Sequence, residues 1–254
     1  MPQRLVVRDL SRAPSLPGAD AVQASYGDRE ATLAALTGID TLLMVSGSES
    51  ATRLAEHFAF VDAAAEAGVR QVVYTSFYGA APDATFTLVR DHCATEQHLA
   101  ASGMAHTFVR DNLYLDFFPF LAGDDGVIRG PAGDGRVSAV AQDDIARVLA
   151  AVLTDPEAHA GTTYSLTGPA AMTLTEAAAT ITEVTGREVR FHDETLEEAY
   201  ASRASYGAPD WQVDAWVSTY TAIAAGELAA VTDDVERLTG RRPLSLEQLL
   251  RSGG

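Results

Sequence analysis

Short apolar segments alternate with helical segments through about the first two thirds of this 254-residue sequence. The apolar segments at 41–45, 71–74 and 106–109 are continuous, as expected for strands that are buried on both faces. Apolar residues at helical spacing separate them. The alternation predicts an α/β protein with a parallel sheet and helices on both faces. We expect the opening segment, 5–8, to form a strand parallel to the other three.

The composition favours a folded chain that binds neither nucleic acid nor an anionic membrane. Apolar residues make up 47% of the sequence, enough for a full hydrophobic core. The formal net charge is −17, whereas nucleic acids and anionic lipids are polyanions. No apolar run approaches the length of a membrane span, and we expect no signal peptide. A cytoplasmic location fits the single cysteine, Cys93.

All 18 basic residues are arginine. This excludes a Schiff-base lysine, a P-loop and the Tyr-x-x-x-Lys pair of ordinary short-chain dehydrogenases. The histidines have no metal-ligand spacing with cysteine or carboxylates. His92 and Glu96 share a helix face, and we interpret them as a surface ion pair or part of a pocket wall. We interpret Cys93 as a buried, inert thiol.

Polar and small residues follow four predicted strands at their carboxyl ends, where open parallel sheets bind ligands. They are Arg8, then Ser46, Gly47 and Ser48, then Thr75 and Ser76, and finally Asp111, Asn112, Leu113 and Tyr114. Each group alone also fits a solvated side chain or an ordinary helix cap. Together they predict one ligand site, with Ser46, Thr75 and Asn112 opening onto a common cleft. An arginine after the first strand suits a 2′-phosphate.

Beyond residue 115 the pattern is less regular. Residues 123–135 are rich in glycine and aspartate and predict a loop or hairpin. Thr173 and Glu176 predict a capping box that opens a helix over 174–184. A helix predicted over 210–225 carries an aromatic stripe, which we interpret as core rather than as a ligand site.

The sequence resembles the NmrA-like branch of the atypical short-chain dehydrogenases, most closely the NAD(P)H:quinone oxidoreductase type 2 group. The resemblance rests on eight segments: 5–9, 25–28, 42–49, 63–76, 92–103, 110–114, 130–136 and 166–175. It implies a Rossmann-like NADP-binding domain over 1–168 and a small C-terminal α/β substrate lobe over 169–254, with 116–136 contributing to the lobe. It also implies that hydride passes from NADPH to a quinone or a similar small electrophile.

The resemblance also assigns roles to the strand-end residues by position. Arg8 would contact the 2′-phosphate of NADP. Ser46, Gly47 and Ser48 would line the adenosine and its ribose, and Thr75 and Ser76 would lie near the other ribose and the nicotinamide. Residues 111–114 would close over the nicotinamide. No catalytic residue is assigned.

The family's opening strand, glycine-rich turn and first helix have no counterpart in this sequence. Because that turn and helix hold the pyrophosphate, we expect residues 1–254 to bind NADP(H) very weakly. A start assigned too far downstream would explain the difference. Three interpretations stay open: an NADP-dependent reductase, a redox sensor that binds dinucleotide without turnover, and a truncated product with little cofactor affinity. A homodimer also stays open.

Overall fold

The computed structural model describes residues 3–253, which form strands and helices in alternation. The strands are β1 (Gln3–Val7), β2 (Ala19–Gln23), β3 (Thr41–Met44), β4 (Gln71–Phe77), β5 (Ala105–Asp111), β6 (Val127–Gly130), β7 (Arg136–Val137), β8 (Thr163–Leu166), β9 (Met172–Thr173) and β10 (Arg190–Asp193). The α-helices are α1 (Arg29–Leu36), α2 (Arg53–Glu66), α3 (Thr87–Ala101), α4 (Phe118–Leu121), α5 (Gln142–Thr154), α6 (Leu174–Thr185), α7 (Leu196–Arg203), α8 (Asp210–Ala224), α9 (Asp234–Thr239) and α10 (Leu246–Ser252).

Strands β3, β4, β5 and β8 form one sheet in that order, and every pairing in it is parallel. Tyr74 of β4 lies opposite Met44 on one side and Phe108 on the other. The prediction of three parallel central strands is therefore confirmed. All four strands end at the same edge of the sheet, so the loops that follow them meet there.

The predicted first strand is present, but it pairs with β2 in a separate parallel pair, where Leu5 lies opposite Ala21. Within residues 3–253, no strand pairs with β1 on its other edge or with the outer edge of β3. Side chains connect the two sheets instead. Tyr26 stacks on Phe60 of α2 with ring centroids 4.0 Å apart, and its hydroxyl donates to the Val45 carbonyl at 2.5 Å.

Alternate residues of the central strands enter two different cores, which explains why these strands are apolar throughout. Tyr74 packs with Phe60 and Leu99 beneath α2 and α3. Val73 and Val109 pack with Val148 and the rest of the cluster beneath α5 and α9. The four-stranded sheet is thus covered on both faces, as the alternation of strands and helices predicted.

The C-terminal part of the chain packs around a third apolar cluster that includes Phe118, Ile128 and Ile181. Helix α6 begins at the predicted capping box of Thr173 and Glu176. The prediction of a loop or hairpin over 123–135 is wrong in part, because β6 lies within that segment and pairs in parallel with β10. Its partner comes much later in the chain, so local composition gave no signal for it. No helix described here has the length and apolar character needed to cross a membrane.

Gly168 joins the central sheet to this third cluster. It follows β8, and its N–H donates to the Ser138 carbonyl at 3.1 Å. A Cβ at this position would overlap the carbonyl oxygen of Ala139. Only glycine therefore lets the two backbone segments approach this closely.

We expect Gly168→Ala to lower the free energy of unfolding by about 1–3 kcal/mol, because the overlap with Ala139 forces the backbone segments apart. Urea denaturation followed by circular dichroism measures the change. Gly27→Ala is the control, since a Cβ there meets only a side-chain carbon of Glu56 at 3.5 Å. Equal loss of stability in both variants would show that the approach at Gly168 is not the cause.

Candidate functional site

The loop that follows β3 is held from below by side chains of the neighbouring elements. The N–H of Ser46 donates to Thr75 Oγ1 at 2.9 Å, and the N–H of Gly47 donates to His57 Nε2 at 2.8 Å. The Gly47 carbonyl accepts from Arg53 Nε at 3.0 Å. Ser46 is half-buried and Ser48 is exposed. The backbone of the loop is therefore fixed while both serines remain accessible at its surface.

His57 supports this loop as a neutral ring. The Thr95 hydroxyl donates to the Asp91 carbonyl, so it accepts from His57 Nδ1, and Nε2 is left to accept from Gly47. Burial, and secondly the charge of Arg53, lower the pKa of His57 to about 4. The imidazole is therefore uncharged at neutral pH. A Cβ on Gly47 would lie only 3.2 Å from Nε2, so glycine also allows this close contact.

Arg53 is buried beneath the same loop. Its Nη2 lies 2.6 Å from His92 Nε2, and the other ring nitrogen of His92 lies 3.0 Å from the Tyr74 hydroxyl. Burial, followed by the charge of Arg53, holds the pKa of His92 well below its ordinary value. His92 is therefore a neutral link between Arg53 and the central strand.

Glu96 is buried and pairs with the half-buried Arg110 of β5. Arg110 Nε and Nη2 donate to the two carboxylate oxygens at 2.8 and 2.5 Å, and the Ser76 hydroxyl donates to one of them at 2.6 Å. The interpretation of His92 and Glu96 as a surface ion pair is wrong, because both are buried and each has its own partners. The Ser76 hydroxyl is committed to Glu96 on the α3 side of the sheet. Cys93 is buried, as predicted.

Asn112 is completely buried immediately after β5. Its Nδ2 donates to Ser138 Oγ at 3.0 Å and to the Leu228 carbonyl at 3.1 Å, while its Oδ1 accepts from the N–H of Leu113 at 2.8 Å. Asn112 lies at the carboxyl edge, as predicted, but the expectation that it opens onto a cleft with Ser46 and Thr75 is wrong. Its amide is used to join the sheet to the C-terminal part of the chain.

Asp111 is the last residue of β5, and only 2% of its surface is exposed. One carboxylate oxygen accepts from the Tyr114 hydroxyl at 2.8 Å, and the other has no hydrogen-bond partner within the described chain. Burial raises the pKa of Asp111 to about 7, although the hydrogen bond from Tyr114 lowers it. Burial also raises the pKa of Tyr114. Asp111 can therefore change protonation state near neutral pH.

Arg8 lies directly after β1 with an exposed side chain. Its carbonyl accepts from Gln23 Nε2 at 2.9 Å. Burial raises the pKa of Tyr26, and the charge of Arg8 opposes that rise. Because Tyr26 donates to the Val45 carbonyl, the positive charge of Arg8 lies on the same side of the protein as the Ser46 loop.

A cavity of about 700 Å³ adjoins the carboxyl end of β5. Leu113 and Tyr114 line it on the side of the sheet, and Phe117 and Phe120 come from the segment 116–136. Helix α8 supplies Trp216, Tyr220 and other residues of the opposite wall. The interpretation of the α8 aromatic stripe as core is therefore wrong for Trp216, whereas Tyr220 packs against the third apolar cluster and also lines the cavity. Helical periodicity could not reveal this, because a core face and a cavity wall have the same spacing.

The cavity wall contains a buried ion pair. Arg203 Nη1 donates to Glu194 Oε2 at 2.9 Å, and Nη2 donates to the Arg129 carbonyl at 3.0 Å. The Arg203 guanidinium lies 5.3 Å from the centre of the Tyr220 ring. Because Glu194 balances the charge of Arg203, this wall suits an uncharged aromatic ligand. No group of three His, Cys, Asp or Glu side chains that could hold a metal ion occurs among residues 3–253.

Residues 1–156 match the family model described as NAD(P)H-binding. The chain belongs to this NAD(P)H-binding family. Quinone oxidoreductase 2 of Escherichia coli (strain K12) is 32% identical over 248 residues, covering 96% of this chain and 86% of the relative. The NAD(P)H azoreductase of Xenophilus azovorans is 35% identical over 247 residues, covering 95% of this chain and 85% of the relative.

A solved structure shows that this likeness extends to the fold of the NAD(P)H-binding chain. The crystal structure of the NADPH-dependent quinone oxidoreductase of Escherichia coli, complexed with NADPH, superposes with a TM-score of 0.89 at 31% identity. The match covers 98% of this chain and 89% of that chain. The predicted Rossmann-like architecture is therefore confirmed.

Asp111 makes the stability of this NAD(P)H-binding protein depend on pH. Its pKa rises from 3.8 to about 7 on folding, so the native state binds more protons than the unfolded state between those values. This contribution to stability is present at low pH and is lost as pH rises through about 7, and it amounts to at most about 4 kcal/mol.

We expect Asp111→Asn to remove this dependence. The melting temperature of the variant, relative to that of the unsubstituted protein, should therefore rise between pH 5 and pH 8. Thermal unfolding across that range measures the difference. Asp20→Asn, at an exposed position on β2, is the control. A constant difference between Asp111→Asn and the natural chain would show that Asp111 does not titrate in this range.

Proposed function

We propose that this chain is an NADP-dependent oxidoreductase that passes hydride from NADPH to a quinone or a similar small electrophile. The observation that carries the proposal is the position of Leu113 and Tyr114, which follow the carboxyl end of β5 and also line the aromatic cavity. A dinucleotide at the strand ends would therefore lie beside an acceptor in the cavity. The quinone oxidoreductase and azoreductase relatives support this assignment.

The strand-end residues suit the two ends of NADP. Arg8 is exposed and has no ion-pair partner among residues 3–253, so its guanidinium can meet the 2′-phosphate. The accessible hydroxyls of Ser46 and Ser48 suit a ribose. Gly47, whose backbone is held by His57, keeps this loop in place, and Thr75 does the same for Ser46. Ser76, Asp111 and Asn112 are buried, so they would support the residues that contact the ligand rather than contact it themselves.

We also propose the division of the chain into a cofactor-binding body over 1–168 and a substrate lobe over 169–254, with 116–136 contributing to the lobe. The cavity supports it, because Tyr114 comes from the first part, Phe120 from the contributing segment and Trp216 from the second. The hydrogen bond from Asn112 to the Leu228 carbonyl joins the two parts.

Bound NADPH would supply the hydride, and the residues of the chain would supply position and environment. The aromatic wall formed by Phe117, Trp216 and other residues would orient a planar acceptor and exclude water from it. Tyr114 lines the cavity and could deliver a proton to the reduced acceptor. A lysine is not needed, because the oxyanion formed from an electron-poor quinone is a weak base that needs little acid help to form, and a donor less acidic than a lysine ammonium can serve it.

The polypeptide of residues 1–254 tests this function directly. Residues 3–253 contain no G-x-G-x-x-G turn to hold the pyrophosphate, and each charge-assisted hydrogen bond lost there costs about 1.5–3 kcal/mol. We therefore expect calorimetry to give a Kd for NADPH of roughly millimolar or weaker. Micromolar binding would show that another segment holds the pyrophosphate.

The same polypeptide, assayed with millimolar NADPH and a simple benzoquinone, should oxidise NADPH only when the quinone is present. Binding of NADPH without oxidation by any quinone or azo acceptor would favour the alternative function, a redox sensor that binds dinucleotide without turnover. If the polypeptide neither binds NADPH nor oxidises it, the third interpretation, a product with little cofactor affinity, would be favoured.

We expect Arg8→Ala to lower the preference for NADPH over NADH by about tenfold to over a hundredfold, because the charge-assisted contact with the 2′-phosphate is lost. The ratio of kcat/KM for the two cofactors measures the preference. Arg70→Ala, an exposed arginine at the amino end of β4 that pairs with Asp40, is the control. Equal loss with both cofactors would mean that Arg8 has a structural role.

A further inference from the structure

Asp111 and Tyr114 form a buried pair at the junction between the strand ends and the cavity. The Tyr114 hydroxyl lies 2.8 Å from one oxygen of the Asp111 carboxyl, and Tyr114 is one of the residues that line the cavity. The second oxygen of Asp111 is buried without a hydrogen-bond partner in the described chain. A buried carboxylate with an unpartnered oxygen is costly, so this arrangement favours the protonated acid.

The protonation state of Asp111 decides which way the Tyr114 hydroxyl donates. A carboxylate only accepts, so it takes the hydrogen bond from Tyr114 and holds that hydrogen away from the cavity. A protonated carboxyl instead donates its own hydrogen to Tyr114 Oη. The hydrogen of the tyrosine is then available to a ligand in the cavity.

The titratable side chains on the elements around Asp111 have partners of their own. Asp144 of α5 pairs with Arg147 and accepts from the Leu244 N–H. Asp234 of α9 pairs with Arg237 and accepts from the N–H of Ser165 in β8.

The titratable side chains on the other neighbouring elements are also paired or face away from the Asp111 carboxyl. Asp116, in the turn after Tyr114, accepts from the Gln142 N–H. Tyr78, after β4, contacts the Asp111 carbonyl only through its backbone N–H. Glu96 and Arg110 pair on the α3 side of the sheet. Burial, rather than a neighbouring charge, therefore controls the protonation of Asp111.

We propose that Asp111 and Tyr114 form a proton relay that delivers a proton to the acceptor in the cavity as it is reduced. The proposal rests on the proposed function and assigns to it a proton donor that needs no lysine. Tyr114 would be the catalytic residue that touches the acceptor, and Asp111 would act through it.

The step is balanced for a quinone. Bound NADPH would supply a hydride, that is two electrons and one hydrogen, and the quinone would then need one further proton. The Tyr114 O–H bond breaks as the new O–H bond of the product forms, and the Asp111 O–H bond breaks as the tyrosine hydroxyl is restored. Asp111 is left as a carboxylate and takes a proton from water after the product leaves.

The relay can be tested first in the protein without any ligand. Carbon-13 NMR of side-chain-labelled aspartate, from pH 5 to pH 9, should show one carboxyl with a midpoint near 7, absent from the spectrum of Asp111→Asn. Tyr114→Phe should move this midpoint upward, because the hydrogen bond that lowers it is lost. A midpoint near the ordinary aspartate value of about 4 would overturn the proposal.

The second test is the pH dependence of quinone reduction with millimolar NADPH. We expect the rate of the natural chain to fall about tenfold per pH unit above about 7, as Asp111 loses its proton. Asp111→Asn and Tyr114→Phe should be about ten- to a hundredfold slower at pH 6 and independent of pH. The loss should be greater with an azo acceptor, whose reduced nitrogen anion is more basic than a hydroquinone oxygen.

The chain also offers a matched control for these variants. Tyr200 donates to Asp214 at 2.9 Å in an exposed tyrosine–aspartate pair that does not line the cavity. Tyr200→Phe and Asp214→Asn should keep the natural rate and pH profile. Circular dichroism confirms that each variant is folded.

The outcomes separate the two proposals. Turnover with the same pH profile in the natural chain and in Asp111→Asn would overturn the relay but leave the proposed function in place. Absence of turnover at every pH would overturn the proposed function and the relay with it.

Discussion

The hydrogen bonding of β4 to a parallel strand on each edge is the constraint on which the rest of this structure depends. It fixes the register of β3, β4 and β5, so that Thr75 lies opposite Val109 and Phe77 opposite Asp111. Alternate residues then face opposite layers of helices. Thr75 can support the loop after β3, whereas Ser76 faces Glu96. A shift of one residue would exchange these faces and dissolve both contacts.

A set of buried polar side chains completes what the sheet begins. Arg53, His57 and His92 are buried, and each bonds to the backbone of the loop or to another of the three. Glu96 is also buried and bonds to Ser76 and Arg110. Burial of such groups is costly unless their hydrogen bonds are satisfied, so alternative positions of the 46–48 loop are disfavoured. The network therefore contributes to the position of the loop more than to the total stability of the protein.

Asp111 differs from this network because one of its oxygens has no partner. Its carboxyl is destabilising to the folded state at high pH, and a buried asparagine would not carry that charge. Such local departures from full hydrogen bonding are typical of functional sites. Because Asp111 lies beside Tyr114, which lines the cavity, the unpartnered carboxyl suits the proposed delivery of a proton.

The C-terminal part of the chain supplies much of the wall that makes the strand ends a site for a second molecule. Phe117 and Phe120 precede β6, and Trp216 and Tyr220 come from α8, yet all four surround one cavity. Asn112 and Gly168 keep this wall close to the sheet. Asn112 donates to Ser138 Oγ and to the Leu228 carbonyl, and the Gly168 N–H donates to the Ser138 carbonyl. The proposed reaction depends on this closeness, since hydride transfer requires the two ligands to be in contact.

The sequence by itself determined the elements of this protein and the edge at which its polar residues meet. Strand β3 and the capping box of α6 follow from local periodicity and end signals, because those signals lie within one segment. The meeting of Ser46, Thr75 and Asp111 at one edge follows from parallel pairing alone.

Only the tertiary structure decided which of these residues are exposed and which are buried. Asn112 is covered by Ser138 and Leu228, β6 finds its partner in β10, and Trp216 faces a cavity. Each of these outcomes depends on a segment far away in the sequence. A local pattern specifies which face of an element is apolar or polar, but not which distant segment packs against that face.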